Sequence, residues 1–155
     1  MSGSKRGKIW IDGDAAPGAC KEIVYKASVR TDFDVVLVAN RFQMTPKFHR
    51  IAFQLVGAGP DVADDFIADH CAATDLVVTD DLPLAARVLE KGAAAIRFRG
   101  EELTQQTIHR RLAVRDLMDD LRGSGIHSGG PPPYGTTDKQ KFANALDRWL
   151  TRAQR

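Results

Sequence analysis

The sequence predicts an α/β protein, a three-layer sandwich in which helices cover both faces of a mainly parallel central sheet, with further helices at the C-terminal end. Short apolar runs typical of buried strands alternate with longer segments of helical periodicity. The segments between the strands are long enough to form the crossovers that parallel neighbours need. A chain of 155 residues is also the size of one domain. We assign that domain to residues 8–155, after a flexible segment 1–7.

The first half of the chain predicts three strands and one helix. An apolar strand covers 8–12, and Pro17 is a favoured first residue for a helix that runs to about Arg30. The continuous apolar run 34–39 is typical of a strand that is buried on both faces. Residues 41–50 are basic and irregular, and a third strand covers 51–56 before a glycine-rich break.

The second half continues the alternation. The expected elements are, in order, a helix from near Asp61 to about 73, a strand at 76–79, a helix from Leu82 to 90, a strand at 93–98 and a helix from Thr104. Leu112, Leu117 and Leu121 are the core candidates of that last helix. A stretch rich in glycine and proline, 123–135, breaks it. A terminal helix, about 137–152, then carries Phe142, Leu146 and Trp149 on one apolar stripe.

Composition excludes several classes of protein. The longest apolar runs are five or six residues, too short to cross a bilayer. The N-terminus lacks the apolar stretch of a secretory signal, so we expect a cytoplasmic protein. Two cysteines, Cys20 and Cys71, are too few for a disulfide framework and lack the spacing of a zinc site.

Charge is unevenly distributed along the chain. Residues 61–81 contain seven aspartates and no lysine or arginine, whereas the segments on either side carry net charges of +4 and +5. The acids are sixteen aspartates against four glutamates. An acidic window between basic flanks suggests a cation site beside surfaces that attract anions.

Aspartates also gather where strands of the expected sheet end. Asp12 and Asp14 follow the first strand, Asp80 and Asp81 follow the fourth, and Asp61, Asp64 and Asp65 begin the helix between. Ligands of open α/β sheets bind beyond the carboxyl ends of the strands. Like charges brought together there favour a bound cation, and oxygen ligands favour Mg²⁺ or Mn²⁺ over Zn²⁺. Helix capping is an alternative role for Asp61, with Asp64 as its partner, and for Asp81.

The basic segment after the second strand offers a nucleic-acid surface. Arg41, Lys47, His49 and Arg50 are interleaved with Phe42 and Phe48, so cations for phosphates stand beside rings for bases. A solvated loop with its rings turned into the core has the same pattern. A less specific set of basic residues follows the fifth strand and continues on the next helix: Arg97, Arg99, His109, Arg110, Arg111 and Arg115.

Five blocks of this sequence together resemble one family of small bacterial proteins. They are 11–17 (IDGDAAP), 38–40 (VAN), 61–64 (DVAD), 76–85 (LVVTDDLPLA) and 129–131 (GGP). Their order and content resemble the YaiI/YqxD family, over nearly the whole chain from Lys8. That family is similar to PIN-like domains, and the resemblance implies a metal-dependent nuclease fold with acids at its strand ends. One departure is Ala16, where the family typically has cysteine, so a role for that cysteine in catalysis is in doubt here.

Together these observations predict a PIN-like domain that binds Mg²⁺ or Mn²⁺ and hydrolyses phosphodiester bonds of RNA. The expected metal ligands and catalytic residues are Asp12, Asp14, Asp64 and Asp81, with Asp61, Asp65 and Asp80 in reserve. The expected substrate contacts are Asn40, Arg41, Lys47 and Arg50. RNA rather than DNA is implied by the resemblance alone. Two alternatives remain: a haloacid-dehalogenase-like phosphatase with Asp12 as nucleophile, and a non-catalytic RNA-binding protein stabilised by metal.

Overall fold

A computed structural model describes residues 6–125 and 130–154 of the protein. The strands are β1 (Lys8–Asp12), β2 (Asp34–Ala39), β3 (Ile51–Leu55), β4 (Leu76–Val78), β5 (Ala94–Ile96) and β6 (Glu102–Leu103). The helices are α1 (Gly18–Thr31), α2 (Val62–His70), α3 (Leu82–Glu90), α4 (Gln105–Gly123) and α5 (Thr136–Ala153). The predicted α/β class is confirmed.

The six strands form one sheet in the order β3-β2-β1-β4-β5-β6. The first five strands in this order are parallel, and β6 pairs antiparallel with β5. Ile9 of β1 lies opposite Val35 of β2 on one side and Leu76 of β4 on the other. The chain therefore starts at β1, adds β2 and β3 on one side of it, and then adds β4, β5 and β6 on the other side.

Helices cover both faces of the sheet and complete three layers. Ile9 and Ile11 point to the face covered by α1 and α5, whose buried residues include Val24 and Phe142. Trp10 points to the opposite face, where α2, α3 and the start of α4 pack. This alternation follows from the two-residue period of a strand, which sends neighbouring side chains to opposite faces.

Two expectations about the later elements are wrong. The short strand β6 was not predicted, because two residues are too few to show the alternation of apolar and polar side chains that marks a strand. Helix α4 buries Ile108, whereas Leu117 is 58% exposed and Leu112 and Leu121 are only partly buried. The helix packs through its first turns against α3 and then leaves the core, which periodicity alone could not reveal.

Some expectations fall on residues outside the described ones. Of the segment 1–7, the structure describes Arg6, which donates to the Thr31 carbonyl over 2.6 Å and stacks on Phe33, and Gly7. Of the expected connection 123–135, residues 126–129 lie outside the description, and 130–135 are not helical. None of the described helices is both long enough and apolar enough to cross a membrane.

Candidate active site at the carboxyl edge of the sheet

The acidic residues meet where the direction of chain building reverses, between β1 and β4. These strands are adjacent and parallel, so their carboxyl ends open onto one crevice. Asp12 is the last residue of β1, and Asp80 and Asp81 follow β4 directly. In open α/β sheets this reversal point is where ligands bind, because loops from the two strands diverge and leave a cleft.

Asp12 is the most buried carboxylate of this crevice, with 9% of its surface exposed. The Thr79 hydroxyl donates to Asp12 Oδ2 over 2.9 Å and accepts from the Asp81 backbone N–H, also over 2.9 Å. Burial raises the pKa of Asp12, the Thr79 hydrogen bond opposes that rise, and the charges of Asp81, Asp14 and Asp80 add to it. Thr79 thus couples the two strand ends. Sequence reasoning did not include it, since a threonine after an apolar strand is unremarkable.

Asp64 reaches the same crevice from α2. Its pKa is raised to about 7, first by burial, then by the charges of Asp81 and Asp12 and by a hydrogen bond with the Asp81 carboxyl group. The Asp81 Oδ1 atom also accepts from the Leu84 N–H over 2.9 Å and caps α3. Asp81 therefore fills both roles considered for it, the helix cap and a member of the acidic site. We refer to Asp12, Asp64 and Asp81 as the acidic cluster.

Asp14 and Asn40 lie at the exposed side of the cluster. Both carboxylate oxygens of Asp14 accept from the Asn40 backbone N–H, at 2.9 and 3.2 Å. The charge of Asp14 also reaches Asp12. Gln43 donates to the Gly13 carbonyl over 3.1 Å and fixes the following loop. Asn40 is therefore held at the rim of the crevice by its backbone, with its side chain available to a ligand.

Two of the three reserve aspartates, Asp65 and Asp80, have structural partners of their own. Asp61 occupies the N-cap position of α2, but its side chain makes no capping hydrogen bond, so its proposed capping box is absent. Asp65 pairs with Arg87 over 2.7 Å on an exposed surface. Asp80 accepts from the Phe98 N–H over 2.9 Å and lies 3.5 Å from Arg97 Nε, which ties the β4 and β5 ends together.

The basic segment divides between the two edges of the sheet. Arg41 follows Asn40 at the carboxyl edge and is exposed, and Lys47 is exposed further along. Arg50 instead pairs with Asp34 over 3.1 Å, at the amino ends of β2 and β3. The structure therefore separates Arg50 from the acidic cluster by the length of a strand. Phe42 is exposed and Phe48 packs against the core, so only one ring is available to a base.

The cluster does not form a closed metal cage. Within 6–125 and 130–154, no three His, Cys, Asp or Glu side chains lie close enough together to hold a metal ion. Mg²⁺ needs no such cage, because it keeps several waters and commonly takes one or two carboxylates together with substrate phosphate. Asp12 and Asp81 each give one oxygen to a hydrogen bond and retain a second. These two carboxylates, with Asp64 and Asp14 acting through water, fit that mode.

Comparisons with known proteins place the chain among uncharacterised bacterial relatives. Residues 10–152 match a family model described as "Uncharacterized BCR, YaiI/YqxD family". The chain belongs to the YaiI/YqxD family. It is 50% identical over 148 residues to a UPF0178 protein of Shewanella sp. strain MR-7, covering 96% of this chain and 97% of that one.

Other relatives show a similar degree of likeness. A UPF0178 protein of Shewanella baltica strain OS223 is 51% identical, covering 94% of this chain and 97% of its own. One from Xanthomonas campestris pv. campestris strain 8004 is 50% identical, covering 94% and 91%. No solved structure matches the chain significantly. The predicted family membership is confirmed, and the family description names no activity.

Proposed function

We propose that this YaiI/YqxD-family protein is a cytoplasmic phosphodiesterase of PIN-like type that requires Mg²⁺ or Mn²⁺ and cleaves RNA. The observation that carries the proposal is the convergence of Asp12, Asp64 and Asp81 at the reversal point of the sheet. Burial, followed by repulsion from Asp81 and Asp12, raises the pKa of Asp64 to about 7, and a divalent cation would offset that repulsion. Repulsion between the three carboxylates costs the fold free energy, which points to a ligand that offsets it.

Each residue of the site has a distinct task under this proposal. Asp12, fixed by Thr79, and Asp81, fixed by the start of α3, would hold the cation directly. The cation, when bound, polarises a phosphate oxygen and lowers the pKa of a water molecule. Asp64, whose charge interacts with both ligands, would reach the cation through a water molecule. Asp14 holds the Asn40 backbone N–H at the rim of the crevice. The side-chain amide of Asn40 would then contact the substrate.

The substrate class rests on charge and on the family resemblance. Arg41 remains a predicted phosphate contact at the rim and Lys47 one further along the segment, and Arg50 is left out because it lies at the other edge. RNA is preferred to DNA by the likeness to PIN-like nucleases, which is an argument by analogy.

Hydrolysis of single-stranded RNA tests the proposal. Purified protein with Mn²⁺ should cleave a labelled oligonucleotide, and a chelator should stop the reaction. Asp12→Asn should lower the rate by at least about 100-fold, because it weakens metal binding and misplaces the attacking water. Asp69→Asn is the matched control, since Asp69 is exposed on α2 outside the cluster and its loss should leave the rate unchanged.

Three results would contradict the proposal in different ways. RNA binding without cleavage under single-turnover conditions would favour the non-catalytic alternative. Trapping by beryllofluoride, or an acid-stable phosphoryl group on Asp12, would favour the phosphatase in which Asp12 is the nucleophile. Full cleavage by the Asp12→Asn variant would place the activity elsewhere.

A further inference from the structure

A series of three adjoining cavities leads away from the acidic cluster along the carboxyl end of β5. The first, about 290 Å³, is lined by Asp81, Arg97 and Arg115 among others. The second, about 260 Å³, shares Arg97 with the first and also contacts Arg99. The third, about 550 Å³, shares Arg99 and lies between α4 and α5. The shared residues place the three cavities side by side, and we call the three together the arginine groove.

Cations outnumber carboxylates at the far end of the arginine groove. Four cations and one carboxylate line its largest cavity: Arg99, Arg111, Lys141, Arg148 and Glu101. Glu101 accepts from Arg111 Nε over 2.7 Å, and Glu102 lies 3.0 Å from Arg148 Nη2. A guanidinium has five N–H donors, so these ion pairs leave others for a ligand. Asp138 lies 2.8 Å from Arg99 Nη1, so three carboxylates orient the three arginines and Lys141 is the excess positive charge of the cavity.

Lys141 and Arg115 lie at opposite ends of the groove and have no ion pair with any other described residue. Arg115 lines the same cavity as Asp81, and Lys141 lines the far cavity. A cation that forms no ion pair gives up less on binding phosphate, since it has no protein carboxylate to leave. These two side chains mark the two ends of an anion path that begins at the acidic cluster.

Gly100 determines the shape of the far cavity. It has φ +97°, and a Cβ there would lie 2.6 Å from the backbone carbonyl carbon of Lys141. Only glycine permits both this backbone conformation and this close approach of the β5–β6 turn to α5. The turn therefore holds Arg99 and Glu101 directly against the helix that carries Lys141.

We infer that the arginine groove binds the sugar-phosphate backbone of a single-stranded polynucleotide and leads it into the acidic cluster. Cations distributed along a groove match a chain that carries one charge per nucleotide. None of the described residues lining the three cavities is aromatic, so the contacts go to phosphates and binding is independent of base sequence. The direction of the path rests on the proposed function, whereas the binding can be measured without cleavage.

The experiment measures fluorescence anisotropy of a labelled single-stranded RNA with the full-length protein in chelator, over a range of NaCl concentrations. The double variant Lys141→Gln/Arg115→Gln should flatten the plot of log K against log salt by about 1.4, because each phosphate contact of a single strand contributes about 0.7. Lys139→Gln is the matched control, an exposed lysine on α5 that does not line the groove, and should leave the slope unchanged. Lys141→Arg/Arg115→Lys should restore it.

An unchanged salt slope in the double variant overturns the inference. The inference is also overturned if duplex RNA binds as tightly as single-stranded RNA and the double variant loses the same affinity for both. Equal binding of single-stranded DNA supports backbone recognition. If Mn²⁺ gives no cleavage but the slope falls, the groove stands and the proposed function fails. If cleavage occurs with KM unaffected by the double substitution, the proposed function stands and the groove fails.

Discussion

Two aspartates of this protein, the half-buried Asp64 and the buried Asp75, differ in what their charge does to stability. Asp64 lies among like charges, and its pKa is raised to about 7. Asp75 is 5% exposed and accepts three hydrogen bonds, from the Lys8 N–H, the Trp10 indole N–H and the Ala72 N–H. Donors stabilise the Asp75 carboxylate and fix the amino ends of β1 and β4, whereas Asp64 opposes its own ionisation. Asp75 therefore stabilises the fold, whereas Asp64 belongs to the acidic cluster at the carboxyl edge of the sheet.

Asp75→Asn should destabilise the protein by about 2–4 kcal/mol, because one amide N–H₂ must face a backbone or indole donor in either orientation of the side chain. Oδ1 accepts from Lys8, and Oδ2 accepts from Trp10 and Ala72, so no flip of the amide avoids the conflict. Urea unfolding monitored by circular dichroism measures the change. The exposed Asp69→Asn should stay within about 0.5 kcal/mol of wild type. Equal stability of Asp75→Asn and wild type would show that these contacts do not form.

Asp64→Asn should stabilise the metal-free protein above neutral pH. The folded-state pKa is about 7, above the ordinary value of 3.8, so the folded state binds the proton more tightly. The contribution of Asp64 to the free energy of unfolding is complete below about pH 4 and is lost as pH rises through 7. At pH 8 the variant should be more stable by roughly 1–2 kcal/mol, allowing for solvent screening.

Thermal unfolding in chelator, from pH 5 to 9, measures this difference, which should grow with pH and shrink again when Mn²⁺ is added. Asp69→Asn provides the reference for the loss of an exposed charge. A difference between Asp64→Asn and wild type that does not vary with pH would remove the like-charge interpretation of the cluster.

Among the helices, α4 has two halves with different roles. Its N-terminus is well anchored: Thr104 and Thr107 form a capping box, and Ile108 is 2% exposed beneath it. Beyond that turn Val114 and Leu117 face solvent, while Arg111 and Arg115 border the arginine groove. The first half attaches the helix to α3, and the second half presents cations.

Ile108→Ala should cost about 2–4 kcal/mol, because it leaves a cavity between α3 and α4. Leu117→Ala, on the same helix, should change the free energy of unfolding by less than about 0.5 kcal/mol, since the side chain is exposed. Chemical denaturation of both variants tests the pair. Similar losses would mean that the second half of α4 is packed in solution.

At the scale of the whole molecule, the two edges of the sheet have different chemistry. The amino edge holds compensated charges: Asp34 with Arg50, and Asp75 with its three donors. The carboxyl edge combines the acidic cluster with the cations of the arginine groove. Carboxylates and cations that adjoin at one edge can serve a cation and a phosphate chain together, which a net charge of +2 does not reveal.

The sequence by itself determined the fold class, most elements and the edge at which the aspartates gather. Each of these depends on local patterning: the two-residue period of β1, the apolar run of β2, and the position of Asp12, Asp80 and Asp81 just after strands. Because the carboxyl ends of parallel strands share one edge of a sheet, residues that follow such strands must lie at that edge. That rule requires no knowledge of which strands are neighbours.

Only the tertiary structure decided which residues meet. Strand order places β1 beside β4, so Asp12 contacts Thr79, and α2 brings Asp64 against Asp81. The segment 41–50 crosses to the amino edge, which removes Arg50 from the site, and the groove takes its cations from β5, α4 and α5 instead. These pairings join residues that are far apart in the chain. Their free energy comes from packing across the whole sheet, and no local pattern of the sequence records it.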